Sequence, residues 1–317
     1  MKFYLAPMEG ITTYLYRNAY SHYFGGIDKY FTPFIASPKM NRREQNEILP
    51  EHNQSLTVVP QILANRSEEF LKITKKIAEY GYTTVNLNLG CPSGTVAARK
   101  RGAGFLSVPD ELDRFLYEIY ERSPLKISVK TRIGISSVDE WEPILDIYRK
   151  YPLEELIIHP RLQKELYKFT PHKEAYLTAA AKLSEIPLCY NGDITSLKGY
   201  SELLNTAPRT ERVMIGRGIL KNPLLAVQLK AVESAEHPTL KKETLKAFHD
   251  ELFEGYAAQM AGETPTLFKM KDLWTYLSES FAASDRHLKK IRKASGYAEY
   301  KAAVNSIFRE CELAAHV

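Results

Sequence analysis

The chain has 317 residues, 44% of them hydrophobic, which is enough for one large barrel with an appended region or for two domains. Its formal charge of +5 permits a polyanionic partner without requiring one. The three cysteines are too far apart for a disulfide framework or a zinc site, and no apolar stretch approaches the roughly 18 residues of a membrane helix. We therefore expect a reduced, cytoplasmic, monomeric protein that binds neither metal nor membrane.

Eight short apolar runs alternate with segments of helical period along most of the chain. Each run is followed by a turn or a polar loop, which is typical of strands. Eight strand and helix pairs in roughly 230 residues match the length of a (β/α)8 barrel, and a doubly wound sheet is the alternative. The predicted strands are 3–8, 29–34, 57–62, 84–89, 127–130, 155–159, 187–191 and 212–215, and the predicted helices are 67–80, 110–121, 138–150, 173–183, 197–204 and 222–231.

Strand signals stop near residue 238, and four segments of helical period follow at 240–260, 266–280, 285–294 and 297–314. We predict an α/β fold, with a TIM barrel over residues 1–237 and a small all-α helical bundle over 238–317. One bundle segment carries a run of cations, which is usually a solvated helix face. Beside other basic residues predicted at the barrel mouth, the run favours an RNA-binding surface. Its members are Arg286, Lys289, Lys290, Arg292 and Lys293.

Polar residues follow the predicted strands at their carboxyl ends. In a parallel barrel these ends converge on one face, where active sites are built. A single polar residue there could be a packing partner inside the barrel, but placement after seven strands indicates a shared site. The residues are Met8, Glu9, Gln61, Asn88, Cys91, Lys130, Arg132, His159, Arg161, Asn191, Asp193, Gly216 and Arg217.

The stretch from Thr84 to Gly104 is the most informative one. A predicted strand is stopped by Gly90, Cys91 and Pro92, and a cationic run follows at residues 99–101. A free cysteine is usually a small buried hydrophobe, but these glycines and cations indicate an open loop. A thiol with the ordinary pKa of about 8.5 is protonated at neutral pH and can act as a general acid. Cations beside sulfur would favour thiolate, so a protonated thiol requires the run to point away from the sulfur; the run consists of Arg99, Lys100 and Arg101.

Two glycine-containing turns follow the seventh and eighth predicted strands, at residues 191–193 and 216–218. Many barrels bind phosphate at this corner through backbone N–H groups, which glycine lets the phosphate approach closely. Arg217 adds a charge-assisted donor. Lys130, on the fifth predicted strand, could stabilise negative charge on a reduced flavin ring. Together they suggest a phosphorylated cofactor or substrate.

Six segments resemble the signature series of the dihydrouridine synthase family in order, spacing and strand placement. They are APMEGIT at 6–12, PQI at 60–62, LNLGCP at 87–92, VKTRIG at 129–134, NGDI at 191–194 and MIGRG at 214–218. Enzymes of this family reduce the C5–C6 double bond of uridines in RNA, usually tRNA, with FMN and a nicotinamide donor. The resemblance implies an FMN site formed by Pro7, Met8, Glu9, Gln61, Lys130, His159, Asn191, Gly192, Asp193, Gly216 and Arg217.

The resemblance also implies a division of labour around the uracil ring. Hydride would go from the flavin to C6, and Cys91 would protonate C5 from the opposite face. Asn88 would hydrogen-bond to the uracil edge, and the uridine must be flipped out to reach the barrel. The predicted substrate contacts further include Arg99, Lys100, Arg101, Arg132, Arg161 and the cations of the helical bundle. The sequence departs from the usual His-Gly-Arg-Thr at 159–162, where Pro160 removes a backbone donor.

Two other functions remain open at this point. The first is a flavin-dependent reductase of a free pyrimidine or small enone, with the helical bundle as a dimer surface. The second is a non-catalytic RNA-binding barrel, against which Cys91 and Lys130 argue. The sequence leaves open the modified position, the choice between tRNA and ribosomal RNA, and the choice between NADPH and NADH.

Overall fold

The computed structural model describes residues 1–232 and 238–315. Within them, nine parallel strand segments form one sheet. These segments are β1 (Lys2–Leu5), β2 (Lys29–Phe31), β3 (Val58–Val59), β4 (Gln61–Ile62), β5 (Thr84–Leu89), β6 (Lys126–Thr131), β7 (Leu156–Ile158), β8 (Leu188–Tyr190) and β9 (Arg212–Ile215). Their order is β3-β2-β1-β9-β8-β7-β6-β5-β4, and each predicted strand has its counterpart.

The sheet closes through a strand that is split at Pro60. Val59 of β3 pairs with Phe31 of β2, while Gln61 of β4 pairs with Asn86 of β5. Proline has no N–H to donate to the ladder, but its carbonyl accepts the Asn86 N–H at 2.8 Å. Because β3 and β4 are two halves of one strand that bonds to both ends of the sheet, the structure is an eight-position parallel barrel. The predicted (β/α)8 barrel is confirmed.

Helices follow the strands much as the periodicity predicts, but four of the described helices have no predicted counterpart. Three are short, at 42–46, 94–97 and 217–221, and the fourth is the ten-residue α1 between β1 and β2. Its aromatic-rich sequence YLYRNAYSHY lacks a clear polar face, and aromatic residues have modest helix propensity. The helices are α1 (Tyr14–Tyr23), α2 (Arg42–Asn46), α3 (Ser67–Glu79), α4 (Gly94–Ala97), α5 (Pro109–Arg122), α6 (Trp141–Tyr148), α7 (Lys173–Lys182), α8 (Leu197–Thr206), α9 (Arg217–Lys221), α10 (Leu225–Lys230), α11 (Lys242–Gln259), α12 (Glu263–Leu277), α13 (Asp285–Lys293) and α14 (Tyr297–Glu310).

A buried carboxylate lies among the residues at the amino-terminal side of the barrel core. Glu155, just before β7, accepts a hydrogen bond from the Tyr4 hydroxyl at 2.7 Å. The same carboxylate pairs with Lys29 at 3.2 Å and Arg212 at 3.5 Å. Burial and the neighbouring carboxylate raise the pKa of Tyr4, so its hydroxyl stays a donor. The cluster joins β1, β2 and β9 to the segment that precedes β7, around a core of Tyr4, Ala6, Phe31, Val59, Ile157, Cys189 and Met214.

Replacing Glu155 by alanine is expected to lower the free energy of unfolding by about 3 kcal/mol, because two cations lose a buried partner. The matched control is Glu154→Ala at the adjacent position. Glu154 is exposed and pairs with Lys126 at 3.1 Å, so its loss should cost less than about 1 kcal/mol. Denaturant unfolding measures both changes. Equal effects of the two substitutions would contradict a structural role for the buried carboxylate.

The chain divides into two compact units. The first comprises Met1–Pro7, Asp28–Asp193 and Glu202–Met214, and it holds nearly all of the strand residues. The second comprises Met8–Ile27, Ile194–Ser201 and Ile215–Val317, and it holds α1 and the helices from α9 onward. The predicted boundary between residues 237 and 238 lies at the edge of residues 233–237, outside the described part of the chain, so it stays a prediction.

The helices of the second unit pack around an aromatic core. Trp274 of α12 donates its indole N–H to the Tyr300 hydroxyl of α14 at 2.8 Å, and His249 of α11 contacts the same hydroxyl at 2.7 Å. Burial lowers the pKa of His249. The predicted helical segments after residue 238 are therefore present as α11 to α14. None of the described helices combines the length and apolar character needed to span a membrane.

Candidate active site

Cys91 lies at the carboxyl end of β5, at the start of a loop that we call the Cys91 loop (residues 90–104). The side-chain oxygen of Asn88 accepts the N–H groups of Gly90 at 3.0 Å and Cys91 at 2.9 Å. Gly102 has φ +56°, and a Cβ there would lie 2.9 Å from the Cys91 Cβ, so a larger residue would clash. Ala103 N–H bonds the Cys91 carbonyl at 3.0 Å. The partly exposed thiol therefore sits on a backbone that is held from both sides.

A chain of buried hydrogen bonds, here called the amide chain, runs from the Cys91 loop into the barrel interior. Asn88 Nδ2 donates to Gln61 Oε1 at 2.8 Å. Gln61 Nε2 donates to Asn86 Oδ1 at 2.8 Å, and Asn86 Nδ2 donates to Ser128 Oγ at 2.9 Å. The Ser128 hydroxyl donates to the Val85 carbonyl at 3.2 Å. The members come from β4, β5 and β6, so the chain crosses three neighbouring strands.

The amide chain has one direction, which its two backbone ends fix. Backbone N–H groups can only donate, so Asn88 must turn its oxygen toward Cys91 and its nitrogen toward Gln61. At the other end a carbonyl can only accept, so the Ser128 hydroxyl donates outward and accepts from Asn86. Gln61 is therefore locked with its oxygen toward Asn88 and its nitrogen toward Asn86. This assigns the donor and the acceptor that Gln61 can present to a ligand.

Lys130 is paired in register with Asn88 across β5 and β6. Burial, and next the positive charge of Arg132, lower the pKa of Lys130 to about 8. At neutral pH the side chain of Lys130 is thus mainly the charged ammonium, whose partial loss of hydration destabilises the folded protein. A negatively charged ligand beside it would offset that cost. This is the character expected of a cation that faces an electron-rich ring.

The lysine makes a testable contribution to the stability of the ligand-free protein. Because its folded pKa of about 8 lies below the unfolded value of 10.5, the unfolded state binds more protons between these pH values, and stability rises with pH there. Lys130→Met removes the buried charge and should stabilise the ligand-free protein by about 3 kcal/mol at pH 7. The gain should shrink above pH 8 and vanish near about pH 11. Paired unfolding curves across this range measure it, and a pH-independent difference would contradict the assignment.

Arg132, at the end of β6, is fully buried, and its guanidinium is bonded to backbone carbonyls. It donates to Gly90 at 3.1 Å in the Cys91 loop, and to Leu162 and Leu166, both at 2.8 Å. The arginine thus joins the Cys91 loop to the loop after β7. All three donors are used by backbone carbonyls, and the predicted contact with substrate stays a prediction.

Arg161 is also buried and holds the loop after β7 to the end of β8. Its Nη1 donates to Asp193 Oδ1 and His159 Nε2, both at 3.0 Å, and its Nε donates to the Phe169 carbonyl at 2.7 Å. A guanidinium only donates, so His159 Nε2 accepts and the ring proton of the neutral imidazole lies on Nδ1. Between them Pro160 forms a tight turn, in which Arg161 N–H reaches the His159 carbonyl at 2.7 Å. A substrate contact of Arg161 likewise stays a prediction.

The turn after β8 is sterically restricted. Asn191 Nδ2 donates to the Met214 carbonyl at 2.8 Å. A Cβ on Gly192 would lie 2.8 Å from the Tyr190 hydroxyl, and Asp193 has a left-handed φ of 47°. The turn therefore has no room for a side chain at the buried Gly192, next to a carboxylate that pairs with Arg161. Its predicted role in phosphate binding stays a prediction, as do the cofactor contacts of Pro7, Met8, Glu9, Gly216 and Arg217.

The predicted RNA-facing cations have different surroundings. Arg101 pairs with Glu69 of α3 at 2.6 Å, and Lys100 pairs with Glu111 of α5 at 2.9 Å, whereas Arg99 is exposed. On α13, Arg286 pairs with Glu310 at 3.0 Å. The other predicted cations of that helix are also exposed and leave the buried face to His287, Leu288 and Ile291; they are Lys289, Lys290, Arg292 and Lys293. Contact with RNA stays a prediction for all of them.

Two members of the amide chain, Asn86 and Ser128, have no counterpart among the predicted site residues. The signal was present for Asn86, because its two-residue spacing from Asn88 places both side chains on one face of β5. Ser128 carries the same signal, because it precedes Lys130 by two residues on β6. Its part in the chain depends on the register between β5 and β6, which pairs it with Asn86.

A parallel barrel with a thiol, a lysine and a histidine at the carboxyl ends of its strands is the architecture of a barrel enzyme. The family described as dihydrouridine synthase (Dus) matches residues 4–312, so the chain belongs to that family and is an enzyme. A Staphylococcus epidermidis protein named "Probable tRNA-dihydrouridine synthase" is 30% identical over 262 residues, covering 80% of this chain and 78% of that protein.

A second relative agrees with this assignment, and a solved structure shares the fold. A Bacillus subtilis protein named "Probable tRNA-dihydrouridine synthase 2" is 29% identical over 267 residues, covering 82% of this chain and 80% of that protein. Among solved structures, morphinone reductase superposes with a TM-score of 0.51 at 11% identity, over 77% of this chain and 88% of that one. At so low an identity the likeness shows the barrel fold alone.

Proposed function

We propose that this enzyme reduces the C5–C6 double bond of uridines in tRNA to give dihydrouridine, with FMN as cofactor and NADPH or NADH as reductant. The observation that carries the proposal is the placement of Cys91 at the barrel mouth by Asn88, which is itself paired in register with the half-buried Lys130. Membership of the dihydrouridine synthase family and the names of the two relatives support it.

The side chains near the Cys91 loop fit the chemistry of a flavin. Gln61 offers a fixed amide edge, and Lys130 offers a cation that is costly to bury without an anion beside it. His159, neutral with its proton on Nδ1, would lie near the ring and the phosphate, and the turn at 191–193 would approach the phosphate. When bound, FMN supplies the hydride that is added to uracil C6.

Cys91 supplies the other half of the reduction. Addition at C6 leaves enolate-like negative charge on the uracil, and this charge must be quenched by a proton at C5. The thiol of Cys91 donates that proton, and the resulting thiolate recovers its proton from solvent, since the side chain is partly exposed. Asn88 accepts the Cys91 N–H at 2.9 Å and so holds the backbone that carries the sulfur.

RNA would be held by the exposed cations. Arg99 and the exposed residues of α13 would neutralise backbone phosphates, so binding should weaken steeply as salt is raised. The target uridine must leave its stack to enter a barrel. In this proposal the helices after residue 238 form the RNA-binding part of the chain, and the enzyme acts as a cytoplasmic monomer.

The test is turnover by the purified protein loaded with FMN and supplied with NADPH or NADH. The substrates are tRNA from cells that lack this gene, ribosomal RNA, free uridine and orotate, and dihydrouridine is measured by mass spectrometry of digested RNA. We expect product in tRNA alone. Turnover of a free pyrimidine without RNA would instead indicate a small-molecule reductase, and a colourless protein that binds RNA but no FMN would indicate a non-catalytic barrel.

A further inference from the structure

The loop after β7 presents large apolar side chains to solvent. We call residues 163–170 the aromatic loop. Its Leu166, Tyr167 and Phe169 are 40%, 48% and 60% exposed. They alternate with two exposed lysines, Lys164 and Lys168. Adjacent exposed apolar side chains of this size usually mark a binding surface.

The aromatic loop is held in place from below. Arg132 donates to the carbonyls of Leu162 and Leu166, and Arg161 donates to the carbonyl of Phe169. Leu166 has a left-handed φ of 54°, which a leucine adopts only when its surroundings hold it there. Two buried guanidiniums thus order a loop whose side chains face outward, so little conformational entropy is lost when a ligand binds.

The one carboxylate of the aromatic loop is turned away from the exposed cations. Glu165 accepts the Leu162 N–H at 2.8 Å and contacts His172 Nε2 at 2.7 Å. Burial opposes ionisation, but the hydrogen bonds from His172 and Leu162 prevail and lower the pKa of Glu165. Its charge is therefore satisfied by two residues that flank the loop, Leu162 and His172. The exposed face keeps the positive charges of Lys164 and Lys168.

The aromatic loop lies beside the Cys91 loop. Gln163 Nε2 donates to the Pro92 carbonyl at 3.0 Å, one residue after the cysteine. The guanidinium of Arg132 reaches Gly90 and Leu166 at once. The ring of Tyr167 is 5.9 Å from that of His159 and 5.2 Å from the Arg132 guanidinium carbon. A polynucleotide whose uridine reaches Cys91 must pass close to these side chains.

We propose that the aromatic loop binds unpaired nucleotides that flank the reacting uridine, with Phe169 stacked on a nucleobase and Lys164 and Lys168 on phosphates. The inference rests on the proposed function. Aromatic faces interleaved with cations are the recurring solution for binding single-stranded RNA. A protein partner fits less well, since lysine is depleted from protein interfaces. The loop would thus select uridines in open loops over those in helices.

Stacking can be read directly from a Phe169→Trp variant. The two native tryptophans, Trp141 and Trp274, are 1% and 0% exposed, so the new indole would be the one in contact with solvent. Titration with a short single-stranded oligoribonucleotide containing one uridine should quench its fluorescence. The control oligonucleotide is abasic at the nucleotides beside the uridine and has the same charge. It should quench at least about fivefold less at matched saturation.

Kinetics provide a second readout. Phe169→Ala should raise KM for tRNA about tenfold with little change in kcat, and Phe169→Tyr should restore the wild-type value. Phe169→Leu, which keeps an apolar side chain without a stacking face, should resemble the alanine variant. The matched control is Tyr117→Ala, because Tyr117 on α5 is 60% exposed, like Phe169, and belongs to neither the aromatic loop nor the proposed RNA-binding helices. It should leave both parameters unchanged.

Several results would overturn the inference. Equal quenching by the abasic oligonucleotide would show that no base stacks, and wild-type kinetics of Phe169→Ala would show that the side chain is not used. A wild-type dimer that Phe169→Ala converts to monomers in sedimentation would show a protein interface instead. Failure of the proposed function is distinct, since the wild-type enzyme would then form no dihydrouridine in tRNA. An active enzyme without quenching refutes this inference alone.

Discussion

Replacement of Cys91 by alanine is expected to lower the rate of dihydrouridine formation by about a thousandfold, the size of effect typical for loss of a general acid. The substitution should remove the proton donor alone, because the hydrogen bonds of the amide chain do not involve the sulfur atom. Affinity for tRNA and reduction of FMN by NADPH should therefore stay within twofold of wild type. Cys91→Ser should be nearly as slow, since a hydroxyl is a far weaker acid than a thiol.

The other cysteines provide the controls. Cys311 is buried at the end of α14, and Cys311→Ala should leave the rate within about threefold of wild type. Iodoacetamide should label the partly exposed Cys91 well before Cys189 or Cys311, which are both buried, and should abolish activity in step with that labelling. If Cys91→Ala retained more than a tenth of the wild-type activity, Cys91 could not be the proton donor.

The barrel could be predicted from sequence because its strands are local patterns. Each strand is a short apolar run bounded by turn residues, and closure follows from counting eight of them. The split at Pro60 lies inside one predicted strand, 57–62, and does not disturb that count. The aromatic-rich α1 escaped prediction since its helix is supported by packing against α11 more than by its own periodicity.

The roles of the polar side chains were harder to predict from the sequence than the strands. Positions at strand ends correctly indicate that Cys91, Lys130 and His159 are near the barrel mouth. Whether an arginine there faces a ligand or a backbone carbonyl depends on residues about thirty positions away, as with Arg132 and Leu162. Sequence spacing contains no information on such contacts. Asn88 uses its oxygen to hold Gly90 and Cys91, and its predicted contact with uracil stays a prediction.

The direction of the amide chain leads to the second large effect, in the variant Asn88→Asp. An ionised carboxylate at residue 88 can still accept the N–H groups of Gly90 and Cys91, so the Cys91 loop should keep its structure. The same carboxylate cannot donate to Gln61, whose amide must then rotate and offer its nitrogen. Asn86 and Ser128 must reverse in turn. One atom change would thus exchange the donor and the acceptor that Gln61 offers to the ring in the proposed flavin site.

With its amide chain reversed, Asn88→Asp should have a kcat about a hundredfold below wild type at pH 8 while the enzyme stays folded. The reason is that hydrogen bonds to the reacting ring would be lost. The loss should be reversible by acid. A protonated aspartic acid again has an O–H to donate to Gln61, which restores the wild-type direction, so the ratio of variant to wild-type activity should rise as pH falls. Asn88→Leu serves as the control, because it cannot donate or accept at any pH.

Three measurements separate inversion of the amide chain from simple damage. The visible spectrum of bound flavin should change with pH in Asn88→Asp but not in Asn88→Leu or wild type, because only the aspartate can reverse Gln61. Thermal unfolding should show that the aspartate variant is no less stable than the leucine variant, which loses the bonds to Gly90 and Cys91. A constant activity ratio across pH, together with an unchanged spectrum, would show that Gln61 does not turn and that the amide chain does not set the polarity of the site.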